Sequence, residues 1–240
     1  MTMHTTRLLA RDLVAEGTLA FHFERPPGFE FKPGQAMDVV LGADQTSTQP
    51  EVRHTFSIVS APFQNELIVA TRMRDSAFKR ALGALPIGSA LTLDGPFGSL
   101  GLHKAAARAG IFIAGGIGIT PFMSMLRQAA HLQTPQDLLL LYSNHRPEDA
   151  AFLGELRQLE TLNPRFHMNA TMTQMGRSSQ AWAGHTGPID SGFVQRAMQG
   201  LPTPIFYIAG PPAMVEAMRP VLAGAGVDED DVRSEEFFGY

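Results

Sequence analysis

The chain has 240 residues, 44% hydrophobic and 18% charged, enough apolar chain for one large core or two small ones and too little charge for a disordered segment. Nineteen Lys and Arg against 23 Asp and Glu leave a formal net charge of -4, so no basic excess supports general nucleic-acid binding. Cysteine is absent from all 240 positions, which excludes disulfides, thiolate zinc sites, a cysteine nucleophile and a cysteine-ligated iron–sulfur cluster within them.

The apolar stretches are shorter than a membrane span, and Met1 to Arg7 lead into alternating apolar residues rather than a signal peptide. The expected compartment is the cytoplasm. From Arg7 to about Leu93 the segments are short and strand-like. Residues 18–24 alternate Leu19, Phe21 and Phe23 against Thr18, Ala20, His22 and Glu24, the period of a half-buried strand. Further strands fit 35–41, 54–59, 66–74 and 90–93, separated by Pro, Gly and Asn clusters. Only 76–85 has helical spacing, in Phe78, Ala81, Leu82 and Leu85, with Ser76 placed as its N-cap. Short strands with one helix indicate a small antiparallel β-barrel.

Beyond Gly95-Pro96-Phe97-Gly98 the pattern changes to alternating strands and helices. Strands are expected at 111–114, 138–142, 166–173, 205–209 and 232–238, and helices at 121–131, 147–159, 191–199 and 212–222. This alternation describes an α/β domain with a parallel sheet and helices on both faces. The fold class is therefore a two-domain chain, an N-terminal barrel over 1–102 and a nucleotide-binding α/β domain over 103–240.

The strongest local signal is Ala114-Gly115-Gly116-Ile117-Gly118-Ile119-Thr120-Pro121, between an apolar strand and an amphipathic helix. Glycines admit a ligand close to the backbone, and N–H groups at a helix start favour phosphate. Thr120 reads as the N-cap and Pro121 as the first helical residue. A pyrophosphate-bearing nucleotide suits this place, at the carboxyl edge of a parallel sheet. The alternative is a turn that only tightens strand-to-helix packing. The Lys-Ser/Thr ending of a P-loop is missing, and so is a Rossmann-type ribose acid after Leu141, where the chain reads Tyr142-Ser143-Asn144-His145-Arg146.

Four motifs in order resemble the ferredoxin–NADP reductase superfamily over nearly the whole chain. They are Pro33-Gly34-Gln35 at the entry to a barrel strand, Arg53-His54-Thr55-Phe56-Ser57, the glycine turn Gly115 to Pro121, and Ile208-Ala209-Gly210-Pro211-Pro212. The resemblance implies FAD on the barrel and NAD(P)H on the α/β domain, with hydride passing from nicotinamide to flavin. It places His54, Thr55, Phe56, Ser57, Ala70 and Ser76 against the flavin. Gly115, Gly116, Gly118, Thr120, Pro121, Gly210 and Pro211 are placed on the pyridine nucleotide, with Phe237 and Tyr240 near the rings. Ser57, Thr120 and Glu235 are the catalytic candidates it implies.

Two departures stand out. His54 occupies the position of the family's phosphate-gripping Arg, which resembles the ferric-reductase and NADPH-oxidase branch; Arg53 is the alternative source of charge. Ala209 stands where many relatives carry Cys, which leaves orientation of the nicotinamide to Thr120. Arg146 and Arg177, with Ser143, Ser178 and Ser179 beside them, are the groups available to a 2′-phosphate, so use of both NADH and NADPH is expected. The implied activity is an NAD(P)H-dependent flavoprotein reductase delivering electrons to a separate ferredoxin-like or flavodoxin-like protein. Direct reduction of a quinone, free flavin or ferric chelate is the alternative, as is a nucleotide-binding subunit of a larger redox complex.

Overall fold

A computed structural model of the chain describes residues 2–42 and 52–237. They divide into two compact units. One holds the residues up to Gly101 together with Thr120–Gln128; the other holds Leu102–Ile119 and the residues from Ala129 onward.

In the first unit, strands β1 (Met3–Ala15), β2 (Thr18–Glu24), β3 (Ala36–Leu41), β4 (Val52–Ser57), β5 (Glu66–Arg72) and β6 (Ala90–Phe97) form an antiparallel sheet in the order β4-β3-β6-β1-β2-β5. β1 is long because its first half pairs with β6 and its second half with β2. Just past β4, the Val59 N–H donates to the Ile68 carbonyl of β5 at 2.8 Å, which curls the two edges toward a barrel. Strand alternation sends Phe21, Phe23, Met37, Val39, Leu67 and Val69 into one buried cluster. Helix α1 (Ala77–Ala84) closes that cluster with Leu82, and Ser76 caps it as its sequence position suggests.

In the second unit, β7 (Gly110–Gly115), β8 (Leu138–Asn144), β9 (Phe166–Met172), β10 (His185–Thr186), β11 (Ile205–Gly210) and β12 (Val232–Glu236) form a parallel sheet in the order β10-β9-β8-β7-β11-β12. α2 (Thr120–Leu132), α3 (Leu153–Leu162), α4 (Ser191–Met198) and α5 (Pro212–Gly224) lie between these strands in sequence. Ile111, Ile113, Leu139, Leu141, Phe206 and Ile208 meet Phe193 and Val194 of α4 and Val215, Met218 and Leu222 of α5. The intervening Phe112, Leu140 and Tyr207 are equally buried, so both faces are covered and the strands read as continuous apolar runs. From β7 the chain moves outward through β8 and β9, then returns to the other side of β7 as β11. The carboxyl ends of β7 and β11 are therefore the switch point of the sheet.

Three local expectations need correction. A 3-10 turn, Gly116–Ile119, runs straight into α2, so Ile119 is already helical and no side chain caps the start; Thr120 is a helix residue. The helix expected over 147–159 is broken. A 3-10 turn, Pro147–Asp149, is followed by Ala150 to Phe152, with Phe152 at φ 60, before α3 begins. Phe152 is buried there, and its core contact outweighs its unfavourable backbone angle. The two-residue β10 lies between the strand expected at 166–173 and the helix expected at 191–199, where no element is expected. Among the described residues no helix is long and apolar enough to cross a membrane.

Candidate functional site

Each unit carries a set of candidate groups. In the first, β4 presents His54 and Phe56 on one face, their rings 4.8 Å apart and both near Phe78 of α1. Thr55 and Arg53 take the opposite side. The Thr55 hydroxyl donates to Asp38 at 2.5 Å, and the Arg53 guanidinium lies 3.6 Å from Asp38 and 3.4 Å from Asp94. The charge of Arg53 is thus committed to two carboxylates across the strand from His54.

Burial first, then the nearby Lys79 ammonium, pushes the His54 imidazole below its ordinary value, and Asp38 only partly opposes this. Both effects favour the neutral imidazole, and the positive charge beside it is that of Lys79. Lys79 is 2% exposed, and burial and then Arg74 depress its ammonium too. In the sequence Lys79 carries no signal, because it stands next to Phe78 in an ordinary amphipathic pattern. Its N–H donates to the Ser76 hydroxyl oxygen at 3.2 Å, which leaves the Ser76 hydroxyl hydrogen to give. Ser57 is 4% exposed, and its Oγ is buried with no hydrogen-bond partner among the described residues. A ligand with a hydrogen-bonding edge would complete this hydroxyl. Ala70 is buried on β5 opposite Ala20. Orphan hydroxyl, buried cation and helix start together suit a flavin bearing phosphate.

In the second unit, the turns after β7 and β11 pack backbone to backbone. A Cβ on Gly118 would strike the Ala209 carbonyl, and one on Gly115 or Gly210 would strike Met214 of α5. Gly116 differs: it has φ +54 and faces open space, where a ligand can approach. The Tyr142 hydroxyl, at the end of β8, lies 3.1 Å from the carbonyls of both Gly116 and Ala151, which fixes the turn. Beside Ala209 in the parallel register stands Glu235 of β12. Burial raises its carboxyl above the ordinary value, and its Oε2 has no hydrogen-bond partner among the described residues. The Phe237 N–H donates to the Gly210 carbonyl at 3.0 Å, which holds the chain after β12 against the Gly210–Pro211 turn. Tyr240 lies outside the described residues.

Farther along the carboxyl edge, the polar groups have found one another. Arg146 gives Nε and a terminal nitrogen to Asp149 at 2.9 and 2.8 Å, a bidentate pair. Arg177 donates to the Gln174 side chain at 3.2 Å. Ser178 and Ser179 are both engaged by the Glu148 carboxylate.

Residues 112–220 match the family described as the oxidoreductase NAD-binding domain. The chain is 28% identical over 234 residues to the glycine betaine monooxygenase reductase subunit of Chromohalobacter salexigens, covering 92% of the chain and 60% of that protein. It therefore spans three-fifths of the length of that relative. It is also 28% identical over 225 residues to ferredoxin–NADP reductase B of Sorangium cellulosum, covering 90% and 89%. A ferredoxin NADP+ reductase from Neisseria gonorrhoeae, solved with bound FAD and NADP, shares the fold at a TM-score of 0.81 and 20% identity, covering 99% and 100%.

Proposed function

We propose that the chain is a member of the ferredoxin–NADP reductase superfamily and an NAD(P)H-dependent flavoprotein reductase, a reading supported by its match to an oxidoreductase NAD-binding domain and its likeness to ferredoxin–NADP reductase B. FAD is its resident cofactor, held by residues 1–102, and the pyridine nucleotide is held by residues 103–240. When bound, the flavin would supply the hydride-accepting and electron-donating chemistry that this reaction needs. The observation that carries the reading is the Gly115–Ile119 turn. It sits at the switch point of a parallel sheet, is closed by glycines against Ala209, and is open only at Gly116.

His54 and Phe56 line the flavin, Lys79 and Ser76 meet its phosphates, and Ser57 Oγ bonds the ring edge. Thr55 acts through Asp38, and Ala70 leaves room on β5. Gly115, Gly116, Gly118, Thr120, Pro121, Gly210 and Pro211 shape the seat of the nucleotide, and Arg146 and Arg177 stand toward its adenosine end. Thr120 orients the nicotinamide. Glu235 keeps a proton longer than an exposed carboxylate because it is buried. Phe237 and Tyr240 supply aromatic cover. Electrons leave to a separate protein of ferredoxin or flavodoxin type, a reading supported by the reductase-subunit name of the Chromohalobacter relative. We place the protein in the cytoplasm, where reduced nicotinamide coenzymes are available.

An absorbance spectrum of the purified chain tests this directly. A flavin spectrum bleached anaerobically by NADH or NADPH is the expected result, with FAD recovered on acid extraction. A colourless chain that neither FAD nor FMN reconstitutes overturns the enzyme reading.

A further inference from the structure

The loops at the carboxyl ends of β8 and β9 are joined by one side chain. Glu148 lies in the 3-10 turn after β8, and Ser178 and Ser179 follow the 3-10 turn Met175–Arg177 after β9. Glu148 Oε1 accepts from the Ser179 N–H at 2.7 Å and from the Ser179 hydroxyl at 2.8 Å. The Ser178 hydroxyl lies 2.9 Å from Oε2 and 3.0 Å from Oε1. Two serine hydroxyls and a backbone N–H, converging from one loop, are the donors that a phosphate monoester takes from a protein. Partial desolvation works against ionisation of Glu148, but its own N–H, Ser179 and Ser178 outweigh that and hold its carboxyl at about 2. The group is an anion throughout the neutral range. The nearest guanidinium on its own loop, Arg146, is committed to Asp149.

We propose that Glu148 selects the coenzyme, its carboxylate filling the donors of Ser178 and Ser179 and so favouring NADH over NADPH. This rests on the nucleotide-binding reading above. A 2′-phosphate, carrying close to two negative charges, can reach these serines only by expelling a carboxylate from its hydrogen bonds and then sitting beside it. A ribose 2′-hydroxyl needs no such exchange, because it can donate to a free lone pair of the same carboxylate. The sequence shows no acid at the end of β8 itself; the acid arrives four residues after Asn144, through the turn that breaks the expected helix.

The test uses the full chain and two probes, 5′-ADP and 2′,5′-ADP, titrated calorimetrically, alongside kcat/KM for NADH and NADPH. The native chain is expected to prefer 5′-ADP and NADH by about ten- to a hundredfold, the range of a lost charge-assisted hydrogen bond. Glu148→Gln keeps the shape and removes the charge, and Glu148→Ala empties the position. Both should shift the 2′,5′-ADP to 5′-ADP affinity ratio by at least about tenfold toward the phosphorylated probe. Adding Ser178→Ala and Ser179→Ala to Glu148→Gln should cancel that shift. Thermal melting identifies a variant that fails to fold, and the isosteric Gln then decides the matter. A native preference for 2′,5′-ADP, or a ratio unmoved by Glu148→Gln, overturns the proposal. A native chain that binds neither probe and neither coenzyme overturns the nucleotide-binding reading beneath it, a separate failure.

Discussion

The two units carry their polar groups in opposite conditions. In the barrel unit several candidate groups are desolvated: Ser57 Oγ lacks a hydrogen-bond partner among the described residues, and burial depresses both His54 and Lys79. At the carboxyl edge of the parallel sheet they are already satisfied by one another, Arg146 by Asp149 and the serine pair by Glu148. The physical consequence is a division of labour. On the function proposed above, a cofactor that stays bound suits desolvated groups such as Ser57 Oγ, whose hydrogen bond it would complete. A coenzyme that must come and go meets groups that lose little when it leaves. Glu235 and the glycine turn are the exceptions in the second unit, one an incomplete acid and the other a rigid backbone seat.

The turn offers the largest effect. Gly118→Ala drives a Cβ into the Ala209 carbonyl, backbone against backbone, and should destabilise the chain by about 3 kcal/mol or more. Gly116→Ala meets open space and suffers only from its left-handed angle, about 1–2 kcal/mol. Urea unfolding of the two variants measures the difference. Equal midpoints would mean that the turn is not packed as tightly as the comparison requires.

Lys79→Met comes next and separates binding from stability. Losing a charge-assisted contact to phosphate should weaken FAD binding by about ten- to a hundredfold. Replacing a buried ammonium with an apolar side chain of similar length should leave the flavin-free chain equally stable or more so. Titration of the apoprotein with FAD, with a melt of the same sample, reads both. An FAD affinity within twofold of native removes Lys79 from the site.

Glu235→Gln tests the incomplete acid. Its folded pKa is raised by burial, so its contribution is fully present below the unfolded value of 4.5 and is lost as pH rises through the folded value. Above that point the native chain carries a penalised carboxylate. Glu235→Gln should therefore be more stable than native at pH 7.5, by about 1 kcal/mol, and the advantage should vanish below about pH 4.5. Melting curves across pH 4 to 8 check it, and a constant difference across that range refutes the titration of Glu235.

The smallest expected effect is at His54. Its folded pKa is depressed, so its contribution to stability is present above 6.5 and lost as pH falls through the folded value. Solvent screening of this half-buried ring keeps the effect to a few tenths of a kcal/mol. His54→Gln should flatten the acid limb of the flavin-free melting profile just below pH 6.5. A limb of unchanged slope assigns that titration to other groups.

What the sequence revealed was local or carried by an ordered pattern. β2 runs from Thr18 to Glu24 as expected, but the strand is not half-buried: Phe21 and Phe23 are buried on one face and Thr18 and Ala20 on the other, and only Glu24 is exposed. Ser76 caps α1, and the α/β alternation produces the parallel sheet, because capping and periodicity need only neighbouring residues. The glycine turn was legible as a motif, but its division of roles was not: Gly118 serves Ala209, ninety-one residues away, and Gly116 serves open space.

Other features were decided by tertiary structure alone. Phe152 interrupts a helix that local spacing supports, because a buried aromatic anchor outweighs helix continuity. Thr120 loses its capping position because the preceding glycines continue the turn. Lys79 and Glu148 carry no signal in a single sequence, since a lysine or glutamate in an amphipathic stretch ordinarily faces water. Their importance comes from burial and from partners on other elements: His54 from β4 for one, Ser178 and Ser179 from beyond β9 for the other. Periodicity determined most of the strands and helices, and the four ordered motifs carried the family resemblance. Charge state and donor occupancy depend on distance and desolvation across elements remote in sequence, and only the folded chain sets those.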